Sequence, residues 1–179
     1  AHPKARFDRA KYKAVATVVL SECLSEPSVR RLTAPLCRAL EFLRIRRLPL
    51  TPPEIRHALG RTGMDVAAHE VRLRDGSTPT DVTFDAGIVW AMVEMLTRGR
   101  RMVGSTVDYT DMLCLPLELP LRIRTSPWVF LDEAQDLNAA QRELLLATAT
   151  GRCLAVGDRA QAIFGFAGAD VDSLDQVSN

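Results

Sequence analysis

Two short apolar runs, 128–131 and 153–156, constrain this chain more than any other feature, because each leads directly into acidic residues. The first is followed by Asp132-Glu133-Ala134-Gln135-Asp136 and the second by Gly157-Asp158-Arg159-Ala160-Gln161. Unbroken apolar runs of this length are typical of strands buried on both faces of a parallel sheet. Between them, Asn138 stands where a helix needs its N-cap, Gln141 follows at the third helical position, and Gly151 is placed to end the helix. Strand, helix and strand within about thirty residues form a βαβ unit. Its crossover is expected to be right-handed, with ligands gathering beyond the carboxyl ends of the strands. Asp132, Glu133 and Asp158 fall at those ends. Acids placed this way suggest a site for a magnesium nucleotide.

The rest of the chain is compatible with a folded α/β protein. With 179 residues, 47% hydrophobic and 25% charged, it can bury a substantial core and lacks the bias of a disordered segment. No apolar run reaches the twenty or so residues of a membrane span. The four cysteines, Cys23, Cys37, Cys114 and Cys153, form no C-x-x-C pair, and the three histidines are scattered, so reduced core thiols are expected rather than a zinc site or a disulfide frame. Net charge is only +1, yet residues 1–60 hold 12 Lys/Arg against 5 Asp/Glu, and residues 111–179 hold 5 against 10. The basic half could present a phosphate-binding face; a solvated helix surface accounts for the same residues.

Apolar residues at helical spacing over 7–24 and 29–45 predict two helices, broken at Ser25-Glu26-Pro27-Ser28. Thr51-Pro52-Pro53-Glu54 reads as a capping box with proline at the first helical position, starting a short helix that ends at Leu59 before Gly60. Residues 74–80, with Asp75-Gly76 and Pro79, read as a turn. A further helix is expected over 85–97, with Ile88, Val89, Met92, Met95 and Leu96 on one stripe.

The motif pair resembles the UvrD/Rep-like superfamily 1 DNA helicases. Residues 132–136 look like their motif II, and 157–169, GDRAQAIFGFAGA, like their motif III. The acidic pair is weak by itself; Gly-Asp-x-x-Gln followed by two aromatics and Gly-Ala is restrictive. Upstream, Val107-Asp108-Tyr109-Thr110-Asp111-Met112-Leu113 is similar to the acidic-aromatic segment preceding motif II in that family. The resemblance covers roughly 108–175. It implies that 108–179 is the carboxyl-terminal part of a first RecA-like P-loop NTPase lobe, built on a parallel sheet, and that 1–107 is a mostly helical insertion. It also implies ATP and Mg2+ as cofactors, single-stranded or duplex DNA as partner, and a cytoplasmic, nucleoid-associated protein of bacterial or phage type.

Residue by residue, the resemblance makes Asp132 the magnesium acid and Glu133 the general base that orients or deprotonates the attacking water. Gln161 becomes a sensor of the terminal phosphate, and Phe164 and Phe166 become platforms on which single-stranded bases stack. Capping of the next helix by the two acids, and core packing of the two phenylalanines, are the plain structural alternatives. Gln135 and Asp136 either tie motif II to its neighbours or belong to a surface loop. Phe164 stands where the family often has Tyr, and Ala167 where a basic residue is usual. Thr110 replaces an acid in the upstream segment, so helix capping suffices to explain Asp108 and Asp111.

No Gly-x-x-x-x-Gly-Lys-Ser/Thr phosphate loop occurs in the chain. Together with Ala1 in place of an initiating Met and an ending inside an expected helix over 170–179, this points to a piece of a longer protein, inactive by itself. The expected function is part of an ATP-dependent DNA helicase or translocase of 3′-to-5′ polarity. An ATP-independent nucleic-acid-binding module and a degenerate interaction domain remain open.

Overall fold

Helical spacing in the first half of the chain builds four helices, α1 (Lys11–Ser21), α2 (Glu26–Ile45), α3 (Pro52–Arg61) and α4 (Asp81–Arg101). They belong to a computed structural model that describes residues 5–62 and 67–158. Contacts divide the chain into two units: Ala1–Leu43 with Leu48–Tyr109, and Arg44–Arg47 with Thr110–Asn179. Among the described residues, no helix is long and apolar enough to cross a membrane.

In the first unit, Val19, Leu36, Leu40, Met92 and Met95 are fully enclosed at the centre of the core. Tyr12 of α1 lies against Gly99 of α4, where a Cβ would come 2.6 Å from the ring, so glycine sets how closely the two helices pack. Two short strands, β1 (Arg6–Phe7) and β2 (Thr106–Val107), pair in parallel beside the bundle.

Helix boundaries depart from the sequence expectation for local reasons. Pro27 was expected to break the chain, yet it lies in the first turn of α2, where a missing N–H costs nothing. Thr51 flanks α3 without a side-chain cap bond, and Gly60 lies inside the helix. With Pro52 and Pro53 at the first two positions, two amides that need a cap do not exist. Helix α4 begins at Asp81, four residues before the expected start, because the Thr80 hydroxyl accepts from the Thr83 N–H. The turn at Asp75-Gly76 is present, with Gly76 at φ +86° and the Ser77 N–H donating to the Asp75 carboxylate.

The second unit contains α5 (Tyr109–Glu118) from Thr110 onward, β3 (Ser126–Leu131), α6 (Ala139–Thr148) and β4 (Ala149–Ala155). The strand–helix–strand order of the sequence reading is present, and β3 pairs with β4 in parallel, Val129 opposite Cys153 and Leu131 opposite Ala155. Gly151 does not end the helix; α6 stops at Thr148 and Gly151 lies within β4. A Cβ there would run into the Pro127 carbonyl, beside the register shift between Ser126 and Trp128. Close backbone approach, not helix termination, is what requires glycine at this position.

Burial of these strands also differs from expectation. Phe130 is 72% exposed, and Trp128, Leu154 and Val156 are exposed as well. Only β3 and β4 pair in this sheet among the described residues, so the large apolar side chains on them lack the cover that a wider parallel sheet receives. Trp128 and Phe130 stack at 6.3 Å, and the Arg152 guanidinium lies over Trp128 at 5.2 Å.

All four cysteines are free, but the expectation of core thiols holds for only part of the set. Cys114 is buried and Cys37 partly so, whereas Cys23 and Cys153 are exposed. Burial pushes the thiols of Cys37 and Cys114 up to about 11. At pH 8 only about one in a thousand of either would be thiolate, the reactive form. Titration with an aromatic disulfide reagent under native conditions is therefore expected to modify Cys23 and Cys153 quickly. Cys37 and Cys114 should react only after denaturant is added; fast native labelling of all four would contradict this packing.

Candidate functional site

The carboxyl ends of β3 and β4 lie side by side, and hydrogen bonding continues past both strands. The Val156 N–H donates to the Leu131 carbonyl (2.8 Å), and the Ala134 N–H donates to the Val156 carbonyl (3.0 Å). Asp132 and Glu133, which follow β3, are thereby held beside Gly157 and Asp158, which follow β4. The two acidic clusters separated in sequence meet at one sheet end.

Glu133 adopts φ 53°, ψ 44°, the left-handed region that a residue with a Cβ rarely occupies. Such a conformation costs on the order of 1–3 kcal/mol and persists only where the surroundings impose it. Here the Glu133 N–H donates to Asp132 Oδ1 (3.0 Å), and its carbonyl accepts from the Asp136 N–H (3.0 Å). Its carboxylate accepts from Gln135 Nε2 at 2.6 Å. Gln135 is buried, and its Oε1 accepts from the Asp158 N–H at 3.0 Å. Ala134 to Asp136 form a short 3-10 turn, after which Asn138 and Gln141 cap α6 reciprocally. The capping box read from the sequence is present, with bonds of 2.9 and 3.0 Å. Asp132 and Glu133 do not cap that helix, because Asn138 occupies the N-cap position.

Both acidic side chains are exposed at the strand end. Asp132 offers hard oxygen donors, which fits magnesium, an ion that takes one or two carboxylates and fills the rest of its shell with phosphate and water oxygens. Among the described residues no three His, Cys, Asp or Glu side chains converge on a metal position. Gln161, Phe164 and Phe166 lie outside the described residues.

A second charged cluster links the end of α2 to α5 and α6. Arg44, in the last turn of α2, is 4% exposed and donates to Asp111 on α5 at 3.0 Å; Asp111 is fully buried. Arg44 Nη2 lies 3.7 Å from Glu118. Arg47, also left-handed at φ 58°, lies 3.6 Å from Glu118 and donates to Glu143 on α6 at 2.7 Å. The Glu143 hydrogen bond raises the Arg47 guanidinium further above its ordinary value. The Cys114 thiol donates to the Arg44 carbonyl at 3.6 Å. Asp111, in the first turn of α5, is thus the ion-pair partner of a cation on α2. Sequence reasoning missed Arg44, Arg47, Glu118 and Glu143. One signal was available: Asp111 and Glu118 are seven residues apart on one face of an otherwise apolar helix, which implies buried cations opposite.

Residues 98–179 match the family model of the UvrD/REP helicase N-terminal domain. This segment is UvrD/Rep-like. The match begins ten residues before the 108 boundary of the sequence resemblance and contains the β3, α6 and β4 elements together with both acidic clusters. No curated protein matches the chain. In the UvrD/Rep-like segment the mixed helices and small parallel sheet are consistent with an α/β fold.

Proposed function

We propose that this chain is part of an ATP-dependent DNA helicase or translocase, with residues 108–179 contributing to its first RecA-like ATPase lobe and residues 1–107 forming a helical insertion. The observation that carries the reading is the placement of Asp132 and Glu133 at the end of β3, beside the chain leaving β4, within a UvrD/Rep-like segment. A phosphate loop has to come from outside these 179 residues, since none is present in them. The 3′-to-5′ polarity follows from the family resemblance.

In this reading Asp132 holds the cation of a magnesium nucleotide. The chemistry supplied by bound magnesium is neutralisation of charge on the phosphate oxygens. Glu133 takes the proton of the attacking water, which a carboxylate does when it lies within hydrogen-bond reach. Gln161 donates to the terminal phosphate or the water without adding charge. Phe164 and Phe166 stack on bases, a contact worth roughly 1–3 kcal/mol per base and insensitive to sequence, as a moving motor requires.

A longer protein that carries this chain with a phosphate loop tests the reading. Changing both Phe164 and Phe166 to alanine is expected to weaken single-strand binding by a few kcal/mol at most. It should lower DNA-stimulated hydrolysis far more than the basal rate. Were the two rings core instead, each truncation would cost about 3–5 kcal/mol of stability. Fluorescence titration with single-stranded DNA and thermal denaturation on the same variant distinguish the outcomes; a destabilised variant with unchanged DNA affinity removes both residues from the interface.

A further inference from the structure

Gln135 touches both strand ends at once. Its Nε2 donates to Glu133 Oε2 (2.6 Å), and its Oε1 accepts from the Asp158 N–H (3.0 Å), 23 residues away in sequence. The amide does both from separate atoms of one planar group: a carboxylate of similar size accepts but does not donate, and an aliphatic side chain does neither. The residue is 3% exposed, so water competes weakly for either bond. The backbone around Glu133 is already held, its N–H by Asp132 and its carbonyl by the Asp136 N–H. What the backbone leaves undetermined is where the Glu133 carboxylate points, and the Gln135 amide bonds to that group.

We propose that Gln135 is a positioning residue that locks the Glu133 carboxylate to the backbone of Asp158, so that a shift of the chain leaving β4 is transmitted to the carboxylate. This rests on Glu133 acting as the base of the proposed ATPase. Gln135 acts through Glu133 and touches no substrate. The coupling has a direction: any partner that draws Asp158 away from Gln135 also moves or frees the group that must face the attacking water.

Two substitutions separate the two bonds. Gln135→Glu, in its ionised form, keeps an acceptor for the Asp158 N–H and has no donor for Glu133. Gln135→Met removes both at similar volume. On the 179-residue chain, amide hydrogen exchange is read at Asp158 by NMR. Exchange should stay slow in the wild type and in Gln135→Glu, and rise about tenfold in Gln135→Met. In the longer protein with its phosphate loop, both variants should lower kcat by about 10–100-fold, with the nucleotide Kd changed less than about threefold. A merely structural Gln135 would lower the melting temperature and leave kcat per folded molecule unchanged, which overturns the proposal. Asp158 exchange that is the same in Gln135→Met and wild type overturns it as well. A wild-type protein without DNA-stimulated turnover removes the ATPase reading itself and this role with it, whereas wild-type turnover with both variants unimpaired removes only the role of Gln135.

Discussion

Replacing Glu133 by glutamine in the longer protein is expected to lower ATP hydrolysis by about 10²–10⁴-fold, the usual contribution of a positioned general base. The substitution preserves shape. An amide oxygen at position 133 still accepts from Gln135 Nε2, so the turn over Ala134 to Asp136 and the link to Asp158 are retained. What is lost is the capacity to take a proton. Nucleotide affinity should stay within a fewfold of wild type, because Asp132, the proposed magnesium acid, is untouched. Steady-state hydrolysis with saturating single-stranded DNA, alongside a nucleotide titration, checks both halves. Near-normal turnover would show that Glu133 is not the base; lost affinity with normal turnover at saturation would place it among the binding groups instead.

The largest stability effect is expected at the buried ion pair. Asp111→Ala leaves the Arg44 guanidinium enclosed without its nearest carboxylate, and breaking a buried pair in this way costs about 3–5 kcal/mol. That is a large fraction of the roughly 5–15 kcal/mol that holds a typical domain together. Glu118, 3.7 Å from Arg44, should offset part of the loss and keep the cost towards the lower end. Removing both partners, Arg44→Met with Asp111→Leu, should recover most of the stability, because the desolvation cost of the two charges disappears with them. Urea unfolding of the two single variants and the double variant forms a thermodynamic cycle. Single variants that each cost under about 1 kcal/mol would mean that the charges are solvated and not enclosed as found.

Much of the candidate site could be read without coordinates because it is written in local rules. Two apolar runs ended in acids, Asn138 and Gln141 stood three residues apart ahead of an apolar helix, and the structure contains the parallel strands and the capping box those patterns predict. The basic bias of the first half was equally visible, but its partners were not: Arg30, Arg31 and Arg56 pair with Glu26, Glu70 and Asp85. Part of the excess is therefore balanced locally by acids at the surface. The core assignment of Cys23 and Cys153 failed for a similar reason, since hydrophobic character says what a residue tolerates and neighbours decide what covers it.

By itself the sequence determined the strand–helix–strand order, the cap of α6 and the positions of Asp132 and Glu133 at a strand end, all properties of spacing within one or two turns of chain. Only the tertiary structure decided the rest. Gly151 went to a strand because the Pro127 backbone passes too close for a Cβ. Asp111 found Arg44 across 67 residues, and Gln135 found Asp158 across 23, pairings for which no local periodicity exists. Glu133 took a left-handed conformation that its own side chain disfavours, because hydrogen bonds from Gln135 and Asp136 and to Asp132 hold it there. Each of these is a choice among neighbours, and a chain has neighbours beyond its own sequence only once it has folded.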